Sequence, residues 1–102
     1  MIITRNDNNG EVTLKLEGWL DHDGAAELGE AIDGVKEVQK LVLDFDGVEY
    51  MSSVGIRQIV AAHRATKAMG ALFSVINVNS DVMSIFEMTR LNDKISITAK
   101  ES

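Results

Sequence analysis

The stretch Leu41-Val42-Leu43-Asp44-Phe45-Asp46-Gly47-Val48-Glu49-Tyr50-Met51-Ser52-Ser53-Val54-Gly55-Ile56 decides the fold. Its opening, Leu41 to Phe45, is almost continuously apolar, the composition of a strand buried on most sides, as in a parallel sheet. The polar segment Asp46–Ser53 reads as a loop. From Val54 to Met69 the pattern becomes helical, with Ile56, Ile59, Val60 and Ala62 facing inward and Arg57, Arg64 and Lys67 on a basic outer face. Gly70 stands where a C′ glycine ends a helix.

Upstream, residues 2–5 form a short apolar opening, and Asn6-Asp7-Asn8-Asn9-Gly10 is a turn signal longer than the tightest hairpin type. Val12, Leu14 and Leu16 alternate with Thr13, Lys15 and Glu17, which predicts a strand with one buried face. From His22 to Val38 the residues Ala25, Leu28, Ile32 and Val35 recur at helical spacing, with Asp21 or Asp23 as N-cap. Downstream, Leu72–Ile76 reads as a strand and Asn77–Asn79 as a turn. A helix capped by Ser80 or Asp81 then carries Val82, Ile85, Phe86 and Leu91, and Ile95–Ile97 makes a last strand. Strand–helix alternation of this kind predicts one α/β domain over residues 1–102, with a mixed, mostly parallel sheet whose helices lie mainly on one face.

Composition narrows the function classes. The formal net charge of −6 repels phosphate backbones and anionic bilayers, so neither nucleic acid nor membrane is expected as a partner. The absence of cysteine excludes a disulfide scaffold and thiolate chemistry. The start, Met1 to Asp7, lacks the apolar core of a signal peptide, and no apolar run reaches the ~18 residues of a membrane span. A soluble, cytoplasmic protein is expected.

In open α/β sheets functional loops cluster beyond the carboxyl ends of the parallel strands. Here those loops are Gly18–Asp23 and Asp46–Ser53, which brings Asp21 and Ser53 to one edge with Asp46 and Glu49 close by. A nucleophilic serine needs a base within hydrogen-bond reach. His63 lies three turns along the helix from Ser53, and the loop of His22 has no Gly-x-Ser-x-Gly elbow to face. Asp21, His22 and Asp23 diverge at a helix start and lack a second ligand cluster, and no Gly-x-x-x-x-Gly-Lys loop is present. No catalytic residue, metal site or cofactor is therefore expected. Ser52 and Ser53 are both candidates to cap the following helix, a task that needs only one of them. A phosphate at a helix N-terminus would leave that helix intact while adding about −1.5 to −2 charge to an acidic surface. Trp19 falls in phase with the polar face of its strand, beside the Asp21 loop, where it would serve as a binding anchor; a bend at Gly18 would instead tuck it into the core.

The quoted stretch resembles the signature of bacterial anti-sigma factor antagonists, the STAS domain family, in which a buried strand runs into an Asp-Ser-x-Gly-Leu or Ser-Ser-x-Gly-Leu loop that opens a helix. Gly18-Trp19-Leu20-Asp21 is similar to the family's Gly-x-Leu-Asp, and Ile85-Phe86-Glu87-Met88-Thr89-Arg90-Leu91 to its closing helix. Ser52 stands where many members have aspartate, and Arg90 where glycine is common. The resemblance implies an antagonist that binds an anti-sigma factor serine kinase in the unphosphorylated form and so frees a sigma factor. The kinase phosphorylates the loop serine, here Ser53, which breaks the complex, and a PP2C-type serine phosphatase resets it. Trp19, Asp21, Asp23, Glu49, Ser52, Gly55 and Arg57 are the expected partner-binding residues around that serine. The same fold also serves as a constitutive subunit of transporters or lipid-trafficking complexes. A small nucleotide-binding module is the reading from another class.

Overall fold

The structure, a computed structural model, describes residues 1–101. Its elements run β1 (Ile2–Asn8), β2 (Glu11–Leu20), α1 (His22–Asp33), β3 (Lys40–Met51), α2 (Ser53–Ala68), β4 (Leu72–Val78), α3 (Ser80–Met88), a 3-10 turn (Leu91–Asp93) and β5 (Ser96–Ala99). The strands lie in the order β1-β2-β3-β4-β5, so each neighbours its predecessor in sequence. The β1–β2 pair is antiparallel and the other three are parallel, as the alternation of elements predicts.

One alternating set of side chains faces the helices: Val12, Leu14 and Leu16 from β2, Leu41, Leu43 and Phe45 from β3, Phe73 and Val75 from β4. Leu28 and Ile32 of α1, Ile59 and Ala62 of α2, and Val82 and Phe86 of α3 close over them in one cluster. Each fully buried aliphatic side chain contributes about 1.5–3 kcal/mol by leaving water. Phe45 and Phe86 meet as tilted rings with centroids 6.0 Å apart, which pins α3 to the central strand. The opposite face of the sheet carries Thr13, Lys15, Asp44 and Ser74 and meets solvent. Among the described residues only Val42 is buried there, flanked by Thr13 and Ser74 in the register.

Apart from shifts of one or two residues, as where Asn77 and Val78, expected in a turn, extend β4, four boundaries differ from the sequence expectation, each for a local physical reason. The hairpin turn is the tight two-residue kind, Asn9-Gly10, with φ of +50° and +85°, because Asn6, Asp7 and Asn8 pair across to Thr13, Val12 and Glu11. Helix α1 stops at Asp33, where Gly34 caps it, and Val35 reaches the core from the following loop rather than from a helix extending to Val38. Helix α3 is capped by Asn79, whose side chain accepts from the Val82 amide at 2.8 Å, and not by Ser80 or Asp81. Leu91 sits in the 3-10 turn, entered through Arg90 in the left-handed region at φ +59°. That is the position where the resemblance calls for glycine, the residue with no steric penalty there.

The largest difference is in β3. The segment Asp46–Met51, expected as loop, continues the strand because the end of β2 pairs with it: Glu17 with Gly47, Gly18 with Val48, Trp19 with Tyr50 and Leu20 with Met51. Two register shifts, one between Lys15 and Glu17 and one between Gly18 and Trp19, absorb the extra residues of β3 as bulges. Asp46 is therefore a strand residue well below the Ser53 end. It pairs with Lys100 at 2.9 Å.

The hydrogen bond from Lys100, reinforced by its charge, holds the Asp46 carboxyl below its ordinary value of 3.8. A carboxylate depressed in the folded state favours folding above its unfolded pKa, and that support is lost as pH falls through the folded value. In Lys100→Met the Asp46 carboxyl should titrate at higher pH, read by carboxyl-carbon NMR, and acid unfolding should begin at higher pH than in the parent chain.

Candidate functional site

The carboxyl end of β2 organises the edge of the sheet where the two helix N-termini meet. Leu20 is the last residue of the strand, and its carbonyl accepts the Ser52 amide at 3.0 Å. The Ser52 hydroxyl also donates to that carbonyl at 3.4 Å and accepts from the Gly55 amide at 3.3 Å. Ser52 is thus the N-cap of α2, half-buried and committed to the junction. One residue on, Asp21 caps α1, its carboxylate accepting from the Gly24 amide at 3.0 Å.

Two glycines make this junction possible. A Cβ on Gly55 would be driven into the Leu20 carbonyl oxygen, with Leu20 Cγ at 2.9 Å and Met51 Cγ at 3.0 Å. A Cβ on Gly24 would likewise strike the Trp19 carbonyl oxygen. Both helices therefore start in backbone contact with the same strand end. Asn79 ties in the third, its side-chain amide donating to the Val48 carbonyl at 2.9 Å.

Ser53 is the first residue of α2 and is exposed. Its hydroxyl makes no hydrogen bond among the described residues. The amides of Ser53 and Val54 have no intrahelical acceptor, so the positive end of the helix dipole opens beside that hydroxyl. Arg57 is exposed one turn further along the helix, and Asp23 is exposed in the first turn of α1. Of the acidic residues expected near Ser53, Asp21 is at the junction and Asp46 is not.

Trp19 projects from the solvent face, 57% exposed, so the bend that would have buried it does not occur. Its indole N–H donates to Glu49 at 3.2 Å, and its ring lies 5.5 Å from that of Tyr50, which is itself 48% exposed. Tyr50 and Glu49 come alongside Trp19 because of the second bulge. Sequence reading missed Tyr50. The signal for it is Gly47, a residue that marks bulges in a strand and so restores the strand period through Tyr50. Among the described residues no cluster of histidine, aspartate or glutamate is arranged to hold a metal ion. Within the described residues no helix is long and apolar enough to cross a membrane.

A family model described as "Mlab, STAS domain" matches residues 3–98. The chain is 27% identical over 94 residues to the anti-sigma-B factor antagonist of Bacillus subtilis (strain 168), covering 91% of this chain and 86% of that one. Its structure is similar to that of an anti-sigma factor antagonist from Mycobacterium paratuberculosis, with a TM-score of 0.85 at 22% identity, over 95% of this chain and 84% of that one. It is also similar to the Bacillus cell fate determinant SpoIIAA in the phosphorylated form, with a TM-score of 0.74 at 17% identity, over 94% and 90% of the two chains.

The site geometry separates structural from surface roles. Gly55→Ala should lower stability by about 1–3 kcal/mol, because a backbone oxygen cannot move aside as a side chain can. Trp19→Ala should cost less than about 1 kcal/mol, since it removes only solvent-exposed contacts, the hydrogen bond to Glu49 and the ring contact with Tyr50. Denaturant melts of the two variants against the parent chain measure both.

Proposed function

The chain belongs to the STAS domain family, and from that premise we propose that it is an anti-sigma factor antagonist, a non-enzymatic domain whose unphosphorylated form binds an anti-sigma factor serine kinase. Phosphorylation of Ser53 releases that partner, and a PP2C-type serine phosphatase restores binding. The observation that carries this reading is the division of labour between the two serines. The Ser52 hydroxyl is spent on the Leu20 carbonyl and the Gly55 amide, while the Ser53 hydroxyl is exposed and unbonded among the described residues. The antagonist relatives, one of them in a phosphorylated form, support it.

In this reading the chain supplies only the hydroxyl. The kinase brings the base, the magnesium and the nucleotide. The phosphate then sits at the positive end of α2, so the helix survives and the change is one of surface charge. Trp19, packed at a tilt against Tyr50 and held by Glu49, is the apolar anchor of the partner surface. Asp21, Asp23 and Arg57 make its polar rim, and Ser52 and Gly55 hold it in shape. For one partner carboxylate roughly 6 Å from the phosphate, at an effective dielectric of about 40–80, the added repulsion is about 1–3 kcal/mol. That corresponds to about a ten- to hundredfold loss of affinity.

Phosphopeptide mapping after reaction with the partner kinase should find phosphate on Ser53 and none on Ser52, and Ser53→Ala should abolish labelling. In calorimetric titration against that kinase Ser53→Ala should bind like the parent chain. Ser53→Asp, with half the charge on a shorter arm, should bind about three- to tenfold more weakly. Equal affinity of the two variants, or a complex indifferent to ATP, would favour a constitutive subunit of a larger assembly instead.

A further inference from the structure

The second half of α2 and the segment Leu91–Ile95 enclose a groove of about 390 Å³, lined by Val60, His63, Arg64, Lys67, Leu91, Lys94 and Ile95. Its floor is aliphatic: Ile95 is buried, and Val60 and Leu91 are half-buried. Its rim is cationic, with Arg64, Lys67 and Lys94 all exposed. None of these three joins an ion pair among the described residues, although the chain as a whole carries a net charge of −6. Unpaired positive charge gathered over an apolar slot on an acidic protein is the complement of a molecule with an apolar body and an anionic end.

We propose that this groove binds a small amphipathic anion: one aliphatic chain ending in a carboxylate or a phosphate. The chain lies on Val60, Leu91 and Ile95, and the head group meets Arg64, Lys67 and Lys94. The volume is that of a small-molecule site. A flat aromatic ligand such as a nucleobase finds no free stacking surface, because the one ring in the lining, His63, already packs on Phe73 at 5.8 Å. An acidic protein would be held off by the net charge in proportion to its own, whereas a ligand with one or two charges feels little of it. The groove begins seven residues along α2 from Ser53, about 10 Å at the rise of an α-helix, and one turn beyond Arg57; none of its lining residues belongs to the proposed partner surface.

The test is a titration of the intact ¹⁵N-labelled chain with octanoate, octyl phosphate and 1-octanol, followed by amide NMR. Saturable shifts should appear at Val60–Lys67 and Leu91–Ile95 with at least one of the two anions, and which anion binds more tightly identifies the head group. The uncharged alcohol should bind at least about fivefold more weakly. Lys67→Gln/Lys94→Gln should weaken the anion by about fivefold, while Lys15→Gln/Lys36→Gln, which removes the same charge elsewhere, should not. Absence of saturable shifts with both anions, shifts centred elsewhere, equal binding of the alcohol, or equal loss in the two double variants would each overturn the proposal.

Discussion

The carbonyl of Leu20 is the fixed point on which the site edge is built. A strand-end carbonyl normally looks for water or a turn amide. This one receives both the amide and the hydroxyl of Ser52, and Gly55 passes over it too closely for any side chain. One strand terminus thereby sets the position, the axis and the N-cap of α2. Because Asp21 follows Leu20 directly and caps α1, the starts of two helices are fixed within a few residues of a single peptide. The side chains exposed at this edge are referenced to that peptide: Ser53, Asp23 of α1 and, through the β2–β3 pairing, Trp19 with Glu49 and Tyr50.

In the proposed function this arrangement keeps the structural and the signalling demands on different atoms. Capping needs a hydroxyl that is buried enough to hold its bonds, and modification needs one that is free. Adjacent serines meet the two needs because the helix begins between them, with Ser52 in extended backbone and Ser53 already helical. A charge added at Ser53 falls at the favourable pole of α2 and outside the core cluster. In the proposed function the switch therefore changes what a partner meets without asking the fold to rearrange.

The hydrophobic periods made the element order, the parallel pairing and the inward sets of β2 and β3 legible, since burial on one face imposes them directly; in α2 they placed Ile59 and Ala62 correctly and Ile56 at the core's margin, but Val60, expected inward, is half-buried and lines the surface groove. The polar Asn6–Asn8 segment and the Asp46–Met51 segment were not legible as strand. Their pairing partners, not their composition, make them extended: Asn8 needs Glu11 opposite it, and Tyr50 needs Trp19. At the edge, the exposure of Trp19 followed from its phase. The division between Ser52 and Ser53 did not, because either can cap a helix and only the Leu20 carbonyl decides which one does. Gly55 carried the clue in plain sight as part of the motif, but its reason is a close backbone approach that no linear pattern encodes.

The spatial order of the strands, identical to their order in the chain, has a kinetic side. Each strand docks beside the one made just before it, so every closure spans one hairpin or one helix, and the entropy lost per step stays small. With no proline in the sequence, no slow isomerisation of an X–Pro bond interrupts assembly. The sheet can grow in the direction of synthesis, from the β1–β2 hairpin outward. The last strand to join, β5, has four residues and an irregular register with β4. The edge finished last is thus also the least firmly paired, and fraying under stress should start there and spare the Leu20 junction.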